Sequence, residues 1–531
     1  MKRREFLKRT VPAAIIAPTI LNGIPVSAFN GTNALVELAL SQQTTVNDNI
    51  LVIIQLAGGN DGLNTVIPLQ YYSEYQNART NIAIPQNKTL TLNGNTNVGL
   101  HPAMTSMQQM YNNGELSIFQ SVGYPNPVFS HFRATDILMT ASDSNVALQT
   151  GWAARYLDFE FPNFPINYPN TQNPHPPAVQ IGSVASLEFM GNSASFVYTI
   201  PDANSFYNVV SNSAGTVPTN NSGVELAYVR LQSLQAQSYT GAIQTAYNTS
   251  ITNIASPPVN NKLYEQLKIV ANLINGGLKS KIYHVTYGGF DTHDSQVDTT
   301  DKTIGNHANL LKTLSDAIGG FNDLLKINNL QDKVLGMTFS EFGRRIKSND
   351  SLGTDHGAGA PVFLFGSKVN SGIYGSTPTI PTNATVNDNV PYQYDFRQIY
   401  TSILQQWFCM TSTIANTVLL TNFQVVPVVN GVICGSSNIA SIRNEAEKAL
   451  KIYPNPFANS TTVSFLALDD KTEIEALNSY GQVVYVASLD TKSGIKYDHN
   501  INTSSWAIGS YYIRVLSSNE PLVKAITKVQ A

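Results

Sequence analysis

The chain has 531 residues, a formal net charge of -3 and 13% charged residues. That length allows more than one domain, with a core large enough to fold without disulfides. A near-neutral chain with no basic block excludes a nucleic-acid partner, because neutralising phosphates needs clustered Lys and Arg.

The chain opens with Lys2-Arg3-Arg4-Glu5-Phe6-Leu7-Lys8, followed by the mildly apolar run Val11 to Pro18. A basic start and a short apolar run are export-signal anatomy. The paired arginines ahead of Phe6, Leu7 and Lys8 resemble the twin-arginine consensus. Val26-Ser27-Ala28 offers small residues for cleavage, so residues 1–28 read as a signal peptide. The resemblance implies passage through the twin-arginine machinery, which carries folded proteins, often with a metal or cofactor in place. No internal stretch reaches the roughly 18 apolar residues of a membrane span, so no transmembrane span is expected in the mature chain. The charged fraction, well below the roughly 25% usual in soluble proteins, also suits export.

Ile50-Leu51-Val52-Ile53-Ile54-Gln55-Leu56 is a continuous apolar run and reads as a buried parallel strand. It ends in Gly58-Gly59-Asn60-Asp61-Gly62, a turn at the carboxyl end, where open α/β sheets bind ligands. Residues 65–240 carry Pro- and Asn-rich stretches that read as surface loops. Within them Ser130 to Ala141 reads as a helix capped by Ser130. Residues 260–278 repeat the helical pattern. Lys281 to Tyr287 and Lys333 to Ser340 are two further strands, with a long amphipathic helix over 302–327 between them. Gly366 to Gly375 reads as a loop, and Asp395 to Phe408 as a helix. Strand–helix alternation predicts an α/β domain over 45–437, with a doubly wound, mostly parallel sheet.

Cys409 and Cys434 are not spaced as a metal knuckle or a redox pair. In an oxidising compartment they form one disulfide; otherwise they are two buried thiols. Residues 438–448 read as a linker. From 449 to 531 the character changes to short alternating runs broken by turn residues, the pattern of a β-sandwich. Tyr453-Pro454-Asn455-Pro456-Phe457, Ser479 to Val484, Gly509 to Val515 and a final Lys-bearing strand at 523–528 together resemble the C-terminal sorting domain of the type IX secretion system. The resemblance implies that machinery as a partner. The localisation implied is the periplasm in transit, then the cell surface or the medium.

Each of the three strands delivers metal-competent residues at or beyond its carboxyl end. The first gives Asp61. The second gives Asp291 and His293. The third gives Glu341, followed by Asp355 and His356. Carboxylate oxygen with imidazole nitrogen suits zinc, manganese or a similar divalent ion. Singly, each residue has an ordinary explanation; an Asp in a Gly-rich turn usually bonds its own backbone. Ser130 stands either as a nucleophile at a helix amino end or as a plain cap. His131 either helps bind an anion or is polar surface. Arg344 and Arg345 could grip a phosphate or sulfate bidentately, or belong to the surface.

The segments Gln55 to Thr65, Ser130-His131-Phe132, Gly289 to His293, Ser340 to Arg344, Gly353 to Gly357 and Asp395-Phe396-Arg397 resemble a twin-arginine-exported family known as a domain of unknown function. That family sits in the alkaline phosphatase and sulfatase superfamily. The superfamily implies two divalent metals, typically zinc, and a nucleophilic Ser, Thr or modified Cys. By motif order Asp61, Asp355 and His356 correspond to one ligand set, and Asp291 and His293 to the other. A further late His is also implied. The only histidine after His356 is His499 in the tail, so the expectation is one metal, a second metal with a substitute ligand such as Glu341, or reduced activity.

The function implied is an exported metal-dependent hydrolase of phosphate or sulfate esters, on a small molecule or a polysaccharide. Ser130 would be its catalytic residue. The alternative is a non-catalytic surface or binding protein on the same fold, with the metal structural or lost.

Overall fold

A computed structural model describes residues 48–192, 194–200, 239–249, 257–432, 434, 449–467, 471–478, 482–492, 495–517 and 521–530, with two three-residue strands near the start, Thr19–Leu21 and Ile24–Val26. Arg3 and Arg4 and the linker read at 438–448 lie outside the described residues. The chain divides into two compact units, Thr44–Gly435 and one that holds Ser436–Ala531.

In the larger unit the elements that position the site are, in order, β1 (Ile50–Ala57), β2 (Leu116–Gly123), α1 (His131–Thr140), β3 (Ala178–Ile181) and β4 (Val197–Ile200). Next come α2 (Lys262–Asn275), β5 (Ile282–Gly288), α3 (Asn306–Ile327), β6 (Val334–Phe339) and β7 (Ala360–Phe365). The short strands β8 (Gly372–Tyr374) and β9 (Tyr394–Asp395) precede α4 (Phe396–Gln406). Nine strands make one sheet in the order β8-β2-β7-β6-β1-β5-β3-β4, with β9 also on β2. The pairs β1–β5, β1–β6, β5–β3, β3–β4, β2–β8 and β2–β9 are parallel. Among the described residues, only β7 runs against its neighbours β6 and β2. The sheet is therefore mixed but mostly parallel, with helices around it.

Its centre is apolar on both faces. All six residues of β6 and seven of the eight in β1 are buried. Successive strand side chains point to opposite faces, so both faces must be covered. The helix α2 packs on α3 and β5, with Leu263, Leu267, Val270 and Leu273 fully buried. Caps follow local chemistry: Asn261 accepts from Tyr264 N at the start of α2, and Asp395 and Gln398 form a reciprocal capping box on α4. Ser130 is the N-cap of α1 by position, but its side chain makes no cap bond.

Two features depart from the sequence reading. The stretch Gly366–Gly375 contains β8, which joins the sheet edge by parallel pairing with Ser117, Ile118 and Phe119 of β2. The region 65–240, read as loop stretches and one helix, also supplies β2, β3 and β4. The cysteines are joined as Cys409–Cys434.

The tail has a three-stranded sheet of β10 (Lys451–Tyr453), β11 (Ser460–Leu466) and β14 (Lys496–Asn502). A four-stranded sheet holds β12 (Lys471–Asn478), β13 (Val483–Asp490), β15 (Gly509–Ser517) and β16 (Pro521–Lys528). All ladders are antiparallel. Alternation puts Val463, Phe465, Ile474, Ala476, Ile501, Ile513 and Val515 wholly inside.

Candidate metal centre

The carboxyl ends of β1, β5 and β6 meet at one edge of the large sheet. β1 turns at Gly58, whose φ of +126° and lack of a side chain are both required: a Cβ there would lie 2.3 Å from Asp291 N. That absence lets the loop after β5 press against the turn, where Phe290 N donates to Ala57 O at 3.1 Å. After β6, Ser340 Oγ donates to Leu56 O at 2.7 Å and accepts from Asn60 N at 2.9 Å. A short antiparallel pairing sets Arg344 opposite His356.

This framework gathers His131, Asp291 and His356, whose ligand atoms all lie within 4.8 Å of one another. His356 Nε2 is 3.1 Å from Asp291 Oδ1, and His131 Nε2 is 3.5 Å from Asp291 Oδ2. His293 Nε2 approaches His356 Nε2 at 2.9 Å and Asp291 Oδ1 at 3.2 Å. The group is open to solvent, with side-chain exposure from 21% at His356 to 55% at Asp355, so a ligand can reach it. Phe342, itself buried, packs on the rings of His131 and His356 at 4.9 and 4.5 Å.

The protonation pattern follows from the partners of the opposite ring nitrogens. His356 Nδ1 lies 2.9 Å from Phe129 O, a carbonyl that can only accept. His131 Nδ1 lies 2.8 Å from Glu341 Oε1, and His293 Nδ1 lies 3.0 Å from Asp355 Oδ1. Each Nδ1 therefore donates, so a neutral ring presents its Nε2 lone pair toward the centre. Two such lone pairs facing at 2.9 Å repel unless a cation or a proton lies between them. Three imidazoles, a carboxylate and carboxylates behind two of the rings form a donor set that fits a divalent ion. Burial and the nearby Arg344 and His131 push His356 below its ordinary pKa, against the pull of Asp291. Burial would raise Asp291, but the Arg344 guanidinium bonded to it holds it below the ordinary carboxylate value. Asp355 is likewise lowered, with His293 and Asn349 outweighing burial.

Glu341 stands behind His131: its Oε1 also accepts from Gly58 N at 2.7 Å, and the residue is buried. It orients the imidazole. Asp61 is elsewhere, fully buried with Arg79 Nη1 at 2.6 and 2.8 Å and Gln296 Nε2 at 2.6 Å. Burial opposes its charge, yet Arg79, His307 and Gln296 keep its carboxyl below the ordinary value. Arg344 is also turned inward. It donates to Gly59 O, Thr354 O, Gly58 O, Phe290 O and Asp291 Oδ1, binding the turn after β1 to both ligand loops. Arg345 stacks over the Phe129 ring at 5.0 Å. Ser130 is exposed at the amino end of α1, next to His131.

Arg79, Gln296 and Phe342 were not visible as site residues in the sequence. Gln296 follows Asp294 in the same loop and could have been suspected from that position. Arg79 sits just past a short helix with no local signal pointing to Asp61.

Among solved structures, the chain is remotely similar to a protein in the alkaline phosphatase superfamily from Vibrio parahaemolyticus, at 10% identity over 88% of this chain and 84% of that chain, with a TM-score of 0.31. It is similar to the PsFucS1 sulfatase from Pseudoalteromonas sp. at 10% identity, over 89% and 88% of the two chains, with a TM-score of 0.32. For alkaline phosphatase from the Antarctic bacterium TAB5 the values are 12%, 62%, 95% and 0.26. Likeness this distant assigns no residue a role. No curated protein matches the chain. Residues 451–529 match the secretion system C-terminal sorting domain, which marks the chain for export to the cell surface or the medium. No described helix is long and apolar enough to cross a membrane. Residues 48–412, more than half of the length, match the model described as "Protein of unknown function (DUF1501)", and the chain belongs to that family.

Proposed function

We propose that the chain is an exported, metal-dependent hydrolase of phosphate or sulfate esters, on a small molecule or a polysaccharide. The observation that carries this reading is the convergence of the His131, His293 and His356 Nε2 atoms on Asp291, with each Nδ1 tied to an oxygen. His131, Asp291, His293 and His356 would hold the ion, with Asp355 and Glu341 orienting two of the rings. Zinc suits this nitrogen-rich set. A bound divalent ion would supply electrostatic stabilisation of a developing negative charge.

The chain's own residues supply the rest. Ser130 presents an exposed hydroxyl beside the ligand His131, at the amino end of a ten-residue helix, where the backbone N–H groups favour a negative oxygen. In this reading Ser130 is the nucleophile. Arg344 keeps Asp291 charged and in place. The motif resemblance of Ser340 to Arg344 and Gly353 to Gly357 points to the same ester chemistry. Export is read as passage through the twin-arginine machinery at the start of the chain and the type IX machinery at its end.

A second reading, a non-catalytic surface or binding protein, draws on Arg79 and Arg344. Both direct their donors inward, which removes two guanidinium groups from any anion at the centre. Metal analysis of the purified protein, with a phosphatase and sulfatase substrate panel before and after chelation, separates the two. Turnover lost on chelation and restored by zinc supports the hydrolase. Metal-replete protein that is inert across the panel supports the binding protein.

A further inference from the structure

The two loops that carry the ligands come from distant parts of the chain, and a second buried side chain besides Arg344 touches both. Gln296 has no exposure. Its Oε1 accepts from Thr292 Oγ1 at 3.0 Å and from Thr354 Oγ1 at 2.9 Å. Thr292 lies between Asp291 and His293, and Thr354 immediately precedes Asp355 and His356. The main chains of the loops also meet, with Thr354 N donating to Thr292 O at 3.1 Å.

The direction of the Gln296 amide is dictated by its third contact. Asp61 Oδ2 is a carboxylate oxygen and can only accept, so the Gln296 NH2 group must face it, at 2.6 Å. The carbonyl end then faces two hydroxyls that can donate. Asp61 is in turn held by Arg79, with both side chains fully buried. The backbone of Gln296 is pinned as well: its N donates to Leu352 O at 2.9 Å, and its O accepts from His307 N at 3.0 Å. No part of this residue is left to move independently of the loops.

We propose that Gln296 is a positioning residue that sets the Asp291–His293 loop and the Asp355–His356 loop in register. The buried Asp61–Arg79 pair fixes which way its amide points. The proposal rests on the metal reading above for its functional consequence, but the mechanical coupling exists in the metal-free chain. Asp61 thereby acts on the two ligand loops through an amide and two hydroxyls. Partners behind the ligands typically change metal affinity by about 10- to 100-fold when removed.

The test uses the full-length chain and three variants: Gln296→Met, which keeps length but cannot bond, and Thr292→Val and Thr354→Val, which each free one loop. Hydrogen exchange is followed without metal, and cobalt binding by its visible absorption. Gln296→Met is expected to speed exchange across 291–294 and 353–356 together, about tenfold, with β1 and β6 unchanged. Thr292→Val should speed only the first segment, and Thr354→Val only the second. Cobalt affinity of Gln296→Met should fall about tenfold with an altered absorption band. Unchanged exchange in either loop of Gln296→Met, or an equal rise over the whole sheet, overturns the proposal. If Gln296→Met does not fold, the two Thr variants decide it: loosening confined to the released loop supports the coupling, and no loosening overturns it. A parent chain that takes up no cobalt overturns the metal reading, while the exchange results still decide the coupling.

Discussion

Arg79 Nη1 and Asp61 Oδ2 lie 2.6 Å apart with neither side chain exposed to solvent. Removing one partner leaves the other charge buried without compensation, which typically costs about 3–5 kcal/mol. Arg79→Met is therefore expected to lower the stability of the large domain by that amount, and Asp61→Ala by a similar one. Thermal unfolding of the purified variants measures this. A melting temperature equal to the parent's would show that the pair carries no such weight.

His356→Ala removes a lone pair from the centre and frees the Phe129 carbonyl. On the proposed reading, bound zinc should fall well below one equivalent, and chelator-sensitive turnover should fall at least about a hundredfold. Elemental analysis after dialysis reads the first and the ester panel the second. Full zinc occupancy in this variant would remove His356 from the ligand set.

Ser130 makes no cap bond and is exposed. Its replacement by Ala should change stability by no more than about 0.5 kcal/mol, as for other surface positions. If it is the nucleophile, turnover disappears while zinc content stays unchanged. An active Ser130→Ala enzyme would end that assignment.

The strands that carry the ligands were legible because apolar and β-branched residues dominate them: β1 and β6 are buried almost throughout and β5 through Val285, so they need no alternation. β2 was not, because Ser117, Gln120 and Ser121 interrupt it, although the sheet buries all three. β7 starts in a Gly-rich segment with Pro361 as its second residue, a poor strand signal. The acid and His positions could be found by their places after strands. What no spacing revealed was which of them would meet. Asp61 pairs with a residue 18 positions away, and only the folded chain shows that its charge is already matched. His131 gains its orientation from Glu341, at a separation of 210.

Two other histidines make stability depend on pH. Burial pushes His101 down to about 3 and His307 to about 4, the latter against the pull of Asp61. The ordinary value of both is 6.5, so between pH 6.5 and 4 the unfolded chain binds protons that the folded chain refuses. Their contribution is then full above 6.5 and falls as the pH drops through this window, offset in part by Asp158, which burial raises to about 6 and which binds a proton in the folded chain. Asp61, lowered in the fold, acts the same way at more acidic pH. Unfolding of the large domain followed from pH 7.5 to 4.5 checks the slope. The double variant His101→Gln, His307→Gln should flatten it, and an equally steep slope in that variant would place the titration elsewhere.

The Cys409–Cys434 bond closes a loop with a sequence separation of 25. Constraining an unfolded loop of this size is worth about 3 kcal/mol. The double Ser variant should lose roughly 2–4 kcal/mol of large-domain stability. Reductant should lower the parent to a similar level and leave the variant unmoved. Equal stability of parent and variant under oxidising conditions would contradict this.

The centre is built from positions far apart in the chain: His356 and Asp291 are separated by 65, and His131 and its orienting Glu341 by 210. Closing such loops is entropically costly, and an ion bridging two or three ligands in an open chain would bear that cost alone. In the finished fold the apolar sheet has already met it. A metal binding here selects the closed sheet and stabilises it in proportion to its free concentration over its dissociation constant. Loading then follows folding. On the proposed reading, a metal would therefore be taken up only where the sheet has already closed.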